Sequence, residues 1–197
     1  MQFANRVKGS VTQALLRALL EDGGYRIVPF GIEEVWRDLA LLNEAEYAGL
    51  KLPRTLRQLP DFFVASQSFD LTWLVEVKYR KEWSDKVREA LGRQLKDQVT
   101  NWSPLYLMVF LGTAAKRNEK APSSWMGMLR LELEHGDLVA KSLDGTQTTS
   151  WGQVTWKTFL KIQRVFTALS EREKWHEQTI CKVQALLPQL AALDVFE

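Results

Sequence analysis

The sequence predicts an α/β fold in which helices alternate with strands, followed by extra strands and a helical C-terminal extension. Three observations support this prediction. Residues 11–22 carry apolar side chains at helical spacing, residues 71–80 have the composition of an apolar strand, and residues 105–112 contain almost no polar side chain. The length of 197 residues suits a single domain. We expect a core in residues 1–125, with the hairpin and helical tail of residues 126–197 packed on it.

The first part of the chain is expected to contain a helix, a strand, a second helix and a hairpin. The first helix covers residues 11–22 and ends at a pair of glycines, and residues 25–30 form a short strand. Residues 32–50 are predicted to be helical. Residues 60–66 and 71–80 are predicted strands separated by only four residues, which indicates an antiparallel hairpin.

The second part continues with a helix, a buried strand and peripheral elements. Residues 83–101 carry an apolar stripe at i, i+4 spacing, and residues 105–112 are predicted to form a strand buried on both faces. Residues 116–124 form a polar loop, and residues 125–143 are expected to make a peripheral hairpin. Residues 155–193 are expected to be helical, with a possible break near Ser170.

Composition and charge narrow the functional classes. The net charge is only +2, so attraction to nucleic acid must come from a local patch and not from the whole surface. No apolar run approaches the roughly 20 residues that span a bilayer, and the first residues lack the apolar segment of a signal peptide. The single cysteine, Cys181, cannot form an intrachain disulfide and fits a reducing compartment. We therefore expect a cytoplasmic protein that does not use a membrane.

Two opposite charges interrupt the apolar strand of residues 71–80. Because strand side chains alternate between faces, Glu76 and Lys78 point in the same direction. Burying a lone charge is costly, so this face is either exposed to solvent or placed against another charged group. One interpretation is a solvent-exposed Glu76–Lys78 pair; the other is a functional site.

A second carboxylate begins the preceding strand. Counting back from the predicted turn, Asp61 falls opposite residue 75 or 76. The carboxylates of Asp61 and Glu76, with the backbone carbonyl of Val77, form a possible ligand set for Mg²⁺ or Mn²⁺. Lys78 lies beside this position, where its amino group can orient or deprotonate an attacking water.

These residues carry a family resemblance. The segments "LPDFF" and "LVEVKYR", which follow "GGYRIVPFG", resemble the PD-(D/E)XK nuclease superfamily, and are most similar to uncharacterised bacterial members. The resemblance covers roughly residues 9–112, and Pro60, Asp61, Glu76 and Lys78 match the motif residue by residue. It implies a restriction-endonuclease-like fold, with a mixed central sheet flanked by helices. It also implies a metal-dependent endonuclease that hydrolyses phosphodiester bonds of DNA.

The match departs from the pattern in the first helix. Many members carry a glutamate there as a further metal ligand, whereas this chain has Gln13. Gln13 either contacts the active site or closes a capping box with Ser10. Glu33 is another candidate acid, although a solvated helix start explains it equally well.

A glutamine on the helix after the catalytic strand faces the site in several branches of the superfamily. Gln94 and Gln98 lie one turn apart on the helix of residues 83–101. Of the two, Gln94 is the predicted site residue. Ordinary solvation of the helix flank is the alternative interpretation.

The expected substrate is DNA, double-stranded in preference to single-stranded. Basic side chains surround the predicted site, although a mixed solvated helix with i, i+4 ion pairs explains many of them. The candidate nucleic-acid contacts are Arg54, Arg57, Arg80, Lys81 and Lys86.

Two other functional classes stay open at this point. The chain could keep the nuclease fold as a catalytically weak DNA-binding or assembly module, for which the neutral Gln13 is a hint. It could also be an α/β interaction protein with a helical C-terminal dimerisation arm. A homodimer, or a subunit of a larger DNA-processing complex, is compatible with each of these.

Overall fold

A computed structural model of the chain describes residues 2–32, 39, 42, 44–112 and 125–171. Within these ranges the fold is mixed α/β, with one seven-stranded sheet flanked by helices. The strands lie in the sheet in the order in which they occur in the chain. They are β1 (Arg26–Pro29), β2 (Phe62–Ala65), β3 (Thr72–Arg80), β4 (Leu105–Leu111), β5 (Met126–Glu134), β6 (Asp137–Lys141) and β7 (Thr148–Ser150). The α-helices are α1 (Gln2–Asp22), α2 (Glu44–Gly49), α3 (Arg54–Arg57), α4 (Asp85–Asn101), α5 (Ile162–Val165) and α6 (Ala168–Glu171).

The sheet is mixed because one strand pair is parallel. β3 and β4 run parallel, and every other neighbouring pair is antiparallel. Helix α4 lies between β3 and β4 in the chain, as the crossover between parallel strands requires. The predicted β2–β3 hairpin is confirmed, with Phe62 opposite Val75. All seven residues of β4 are buried, which confirms the prediction of a strand covered on both faces.

Helices α1 and α4 cover opposite faces of the sheet. The ammonium of Lys8 on α1 lies 6.0 Å from the ring centre of Tyr79, while Gln98 on α4 is hydrogen-bonded to Glu76. Tyr79 and Glu76 are an odd number of residues apart on β3, so their side chains point to opposite faces. Near Glu76 and Tyr79, α1 therefore lies on one face of the sheet and α4 on the other.

Helix α1 is nearly twice as long as the sequence predicts. It begins at Gln2, nine residues before the expected start. Lys8 and Thr12 are buried, and the hydroxyl of Thr12 donates to the backbone carbonyls of Lys8 and Gly9, at 3.0 and 2.9 Å. Packing of this first half against the sheet outweighs the weak helix propensity of Gly9.

The hairpin expected at the periphery is instead part of the sheet. β5 pairs with β4 from Leu131 to Met126, and its first four residues are buried. Gly127 lets β5 lie close against Phe159, because a Cβ at this position would stand 2.8 Å from the Cβ of Phe159. Strands β5, β6 and β7 therefore extend the central sheet.

The continuous helix expected from residue 155 is wrong for the part that the structure describes. Residues Trp156–Thr158 form a 3₁₀ turn, and Leu160 exchanges two backbone hydrogen bonds with Met128, of 2.8 and 3.0 Å. The first residues of β5 extend beyond the end of β6, whose pairing begins at Arg130, and there Met128 forms a β-bridge with Leu160 before the short helices α5 and α6 begin. The rest of the expected tail, residues 172–197, lies outside the described residues.

Two other expectations fall partly outside the described ranges. Of the helix expected over residues 32–50, the structure describes α2 at its end, and the polar loop of residues 116–124 is not covered. Helix α3, directly after Pro53, was not expected from the sequence. Among the residues that the structure describes, no helix has the length and apolar character needed to cross a membrane.

Candidate active site

The charged residues of the hairpin meet at one end of β2 and β3. Extending the register from Phe62 and Val75 places Asp61 opposite Glu76, as the sequence predicted. Asp61, Glu76 and Lys78 all line one cleft, with a volume of about 230 Å³. The other lining residues are Gly31, Ile32, Arg57, Gln58, Leu59, Gln94, Asp97 and Gln98.

Three separate elements fix Asp61. Its Oδ2 accepts a hydrogen bond of 2.7 Å from the backbone N–H of Val77 on β3, and its Oδ1 accepts one of 2.8 Å from Nε2 of Gln13 on α1. Its backbone carbonyl accepts from the N–H groups of Phe30 and Gly31, at 2.9 and 3.3 Å. The carboxylate is therefore held in one orientation before any ligand binds.

The preceding proline changes the strand ladder at the same point. Extending the β2–β3 register places Pro60 opposite Val77, and proline has no N–H to donate. The N–H of Val77 turns to the side chain of Asp61, and the carbonyl of the same residue faces the same edge of β3. Because of the Pro–Asp sequence, the N–H of Val77 donates to the carboxylate of Asp61 and not to the backbone of β2. The carbonyl of Val77 also cannot accept a hydrogen bond from Pro60, which has no N–H.

Glu76 is a buried carboxylate with two partners. The residue is 3% exposed. One oxygen, Oε1, is ion-paired with the ammonium of Lys78, and the other, Oε2, accepts a hydrogen bond of 2.7 Å from Nε2 of Gln98. The interpretation of Glu76 and Lys78 as a solvent-exposed surface pair is therefore wrong.

The ammonium of Lys78 is ion-paired with Glu76 and also lies in the field of the Asp61 carboxylate. Burial lowers the pKa of Lys78, but the charges of Glu76 and Asp61 and the hydrogen bond to Glu76 together raise the pKa above its ordinary value. In the metal-free protein this group is therefore protonated at neutral pH. Of the two roles expected for it, donating hydrogen bonds to water or phosphate fits this state, and accepting a proton does not.

Gln98, and not Gln94, is the glutamine of α4 that contacts the charged residues. Gln98 is 3% exposed, whereas Gln94 is exposed on the rim of the same cleft. The sequence contains a signal for this assignment, since Gln98 continues the buried stripe of Leu91 and Leu95 at i+7 and i+3. A glutamine in an apolar stripe is buried, and a buried amide needs a partner.

The amide oxygen of Gln98 is buried and has no hydrogen-bond partner. Its Nε2 is fully used, with Glu76 at 2.7 Å and the carbonyl of Leu59 at 3.5 Å. Leaving such an oxygen unpaired costs about 1–3 kcal/mol. Because Gln98 lines the cleft, a bound water or ligand there is the natural partner for this oxygen.

Gln13 reaches the site, and its expected capping box does not exist. Ser10 and Gln13 both lie inside α1, which begins at Gln2, so neither is at a helix start. Gln13 instead orients Asp61 through its amide N–H group. Glu33, the other candidate acid, lies outside the described residues.

Two of the expected nucleic-acid contacts lie at the cleft or on its wall. Arg57 lines the cleft and donates to the backbone carbonyl of Leu50. Arg54 is ion-paired at 2.6 Å with Asp97, which lines the same wall. Helix α3, which the sequence did not predict, therefore brings both arginines to the site.

The other three basic residues, Arg80, Lys81 and Lys86, do not line the cleft. Arg80 donates at 2.6 Å to the carbonyl of Tyr79, and burial lowers its pKa while the charge of Glu76 opposes that effect. Lys81 and Lys86 are exposed, and neither lines the cleft. The structure thus does not bring these two lysines together with the carboxylates.

The donor set fits a hard cation only in part. No group of three His, Cys, Asp or Glu side chains placed to hold a metal occurs within the described ranges. Asp61 and Glu76 each accept at least two hydrogen bonds, and a carboxylate offers roughly four acceptor positions. With the carbonyl of Val77 they would supply three oxygen ligands, and Mg²⁺ typically completes such a set with waters and substrate phosphate.

Comparison of the chain with protein-family models, with curated proteins and with solved structures gives no match. The function must therefore be inferred from the geometry of this site and from the sequence motif that forms it.

Proposed function

We propose that the protein is a metal-dependent endonuclease that hydrolyses phosphodiester bonds of DNA. One observation carries the proposal: two carboxylates on neighbouring strands and one buried ammonium line the same cleft. Asp61 and Glu76 would hold Mg²⁺ or Mn²⁺ together with the carbonyl of Val77. The fold class, with the site at one end of a mixed sheet, is compatible with the restriction-endonuclease-like architecture that the motif resembles.

The chemistry supplied by a divalent cation in such a site is polarisation of a phosphate oxygen and a lower pKa for an attacking water. The chain's own residues orient the reactants. Lys78 donates hydrogen bonds from its ammonium to a phosphate oxygen or to the water. Gln13 and Gln98 keep the two carboxylates from rotating away. The attacking water loses a proton to solvent as its oxygen bonds to phosphorus, and the departing 3′ oxygen takes a proton from solvent as its bond to phosphorus breaks.

DNA is the proposed substrate because the cleft wall carries cations that match phosphates. Arg57 and Asp61 both line the cleft, and Arg54 is ion-paired with Asp97, another residue of the lining. Arginine binds phosphate oxygens in a bidentate manner, which gives orientation as well as affinity. The net charge of +2 makes this local placement, and not the overall charge, the source of attraction.

The test is cleavage of supercoiled plasmid, linear duplex and single-stranded DNA by the purified protein in Mg²⁺ or Mn²⁺. Asp61→Asn and Lys78→Met should each abolish cleavage, since each removes one charge of the site at nearly constant volume. Asp137→Asn is the matched control, because this side chain is 87% exposed at the start of β6 and does not line the cleft. Cleavage that persists in the Asp61 variant, or that is lost equally in the control, contradicts the proposal.

A second candidate function, DNA binding without cleavage, is supported by a different observation. Each of the four carboxylate oxygens at the site already holds a hydrogen bond from within the chain, and Gln13 takes the place of a third acid. Binding of DNA by the wild-type protein, with no cleavage in either metal and no metal-dependent rise in the thermal stability of the DNA complex, identifies this function.

A further inference from the structure

We propose that Lys78 closes the site against metal ions until a DNA phosphate draws its ammonium away from Glu76. This inference rests on the proposed function and adds a form of regulation to the same site. The metal and the DNA then bind cooperatively, because each removes part of the obstacle to the other. The regulation needs no second domain and no large movement of the chain.

The contact that carries the inference is the ion pair within β3. The ammonium of Lys78 sits directly on Oε1 of Glu76, and the Lys78 and Glu76 side chains are only 20% and 5% exposed. The second oxygen, Oε2, is occupied by Gln98. A cation that approaches Glu76 therefore meets a positive charge on one oxygen and an amide N–H on the other.

The competition is strong because the site is shielded from water. Two like charges a few ångströms apart repel about four times more strongly at the effective dielectric constant of a protein surface than in water. A metal cation that binds Glu76 is therefore repelled by the ammonium of Lys78 unless the ammonium moves away. Displacing the ammonium without offering it another anion breaks a largely buried ion pair, which is costly.

A phosphate in the cleft offers that other anion. Lys78 lines the cleft, and its four-carbon side chain with three rotatable N–H donors can turn from a carboxylate to a phosphate oxygen while its charge stays compensated. Gln98 does not have this freedom, because it is 3% exposed in the packed stripe of α4. Lys78 is therefore the movable member and Gln98 the fixed one.

Cooperativity between the two ligands follows from linkage. If DNA raises the affinity for the metal by some factor, the metal raises the affinity for DNA by the same factor. Removing the ammonium removes the part of this coupling that Lys78 provides. Lys78→Met should therefore bind metal more tightly than the wild-type protein when no DNA is present, although it cannot cleave.

The experiment measures Mn²⁺ binding by electron paramagnetic resonance, with and without a short DNA duplex whose phosphorothioate linkages resist cleavage. Without DNA, we expect Lys78→Met to bind Mn²⁺ about tenfold or more tightly than the wild type, from the lost repulsion. Lys78→Arg keeps the positive charge and should bind about as weakly as the wild type. Addition of the duplex should tighten Mn²⁺ binding by a smaller factor in Lys78→Met than in the wild type.

Two controls separate this inference from the proposed function. Lys157→Met removes a positive charge from an exposed position outside the cleft and should leave Mn²⁺ binding unchanged. Circular dichroism confirms that each variant is folded. If Lys78→Met binds Mn²⁺ no more tightly than the wild type, while wild-type cleavage depends on Asp61, the inference is overturned and the nuclease function stands. If no variant binds Mn²⁺ with or without DNA, both are overturned.

Discussion

Replacing Asp61 should separate its structural role from its proposed catalytic role. The carboxylate accepts hydrogen bonds from Val77 N–H and from Gln13, at 2.7 and 2.8 Å. In Asp61→Asn the amide oxygen can still accept from Val77, and the amide nitrogen can donate to Gln13 once the Gln13 amide rotates. In Asp61→Ala both partners lose their acceptor, and Val77 is 5% exposed, so water replaces the lost bond poorly.

The magnitudes of the two effects differ enough to be resolved. A hydrogen bond to a charged group contributes at least about 1.5 kcal/mol and a neutral one about 1 kcal/mol. Loss of both bonds in Asp61→Ala should therefore lower the free energy of unfolding by about 3 kcal/mol. Exchange of two charged bonds for two neutral ones in Asp61→Asn should lower it by only about 1 kcal/mol.

The assay is urea unfolding in the presence of a chelator, with the midpoint and the slope fitted for each variant. In parallel, the melting temperature is measured in the presence of the phosphorothioate duplex, with and without Mn²⁺, which stabilises a protein that binds it in the folded state. The wild type should gain stability from Mn²⁺, and both variants should not. Equal unfolding free energies for Asp61→Ala and the wild type, or a normal Mn²⁺ effect in Asp61→Asn, would refute the reasoning.

Three further predictions concern the surroundings of the site. Gln98→Leu should leave Oε2 of Glu76 without its donor and weaken Mn²⁺ binding measured by calorimetry, whereas unchanged binding would show that Gln98 does not position Glu76. Gly92→Ala should lower the unfolding free energy by about 1–3 kcal/mol, because the new Cβ would lie 2.6 Å from Nε1 of Trp151; a neutral effect in urea unfolding contradicts this. Burial raises the pKa of Tyr79, so the unfolded chain loses this proton first and the unfolding free energy should fall as the pH rises above 10.0. Tyr79→Phe should show a smaller fall in the same pH series, and an identical fall contradicts the assignment.

The local features of the hairpin could be predicted from the sequence because they depend on neighbouring residues. Alternation along β3 places Glu76 and Lys78 on one face, and the short connection fixes the register that brings Asp61 opposite Glu76. The buried character of β4 follows in the same way from an uninterrupted apolar run. Both kinds of pattern are complete within a segment of about twenty residues.

Features that depend on contacts between distant segments could not be predicted in this way. The start of α1 is decided by packing of Lys8 and Thr12 against the sheet, which outweighs the glycine and serine that look like a helix start. The segment around Leu160 looks helical in sequence but pairs with Met128, because the start of β5 extends beyond β6 and offers backbone partners there. Propensity is worth tenths of a kcal/mol per residue, and tertiary contacts of this kind outweigh it.

The sequence by itself determined the charged set of Asp61, Glu76 and Lys78, because strand alternation and hairpin register are local properties. Only the tertiary structure decided which glutamines complete it. Gln13 and Gln98 reach Asp61 and Glu76 from helices on opposite faces of the sheet, across 48 and 22 residues of chain. Such contacts depend on how whole helices pack, and the single-residue patterns of the helices do not contain that information.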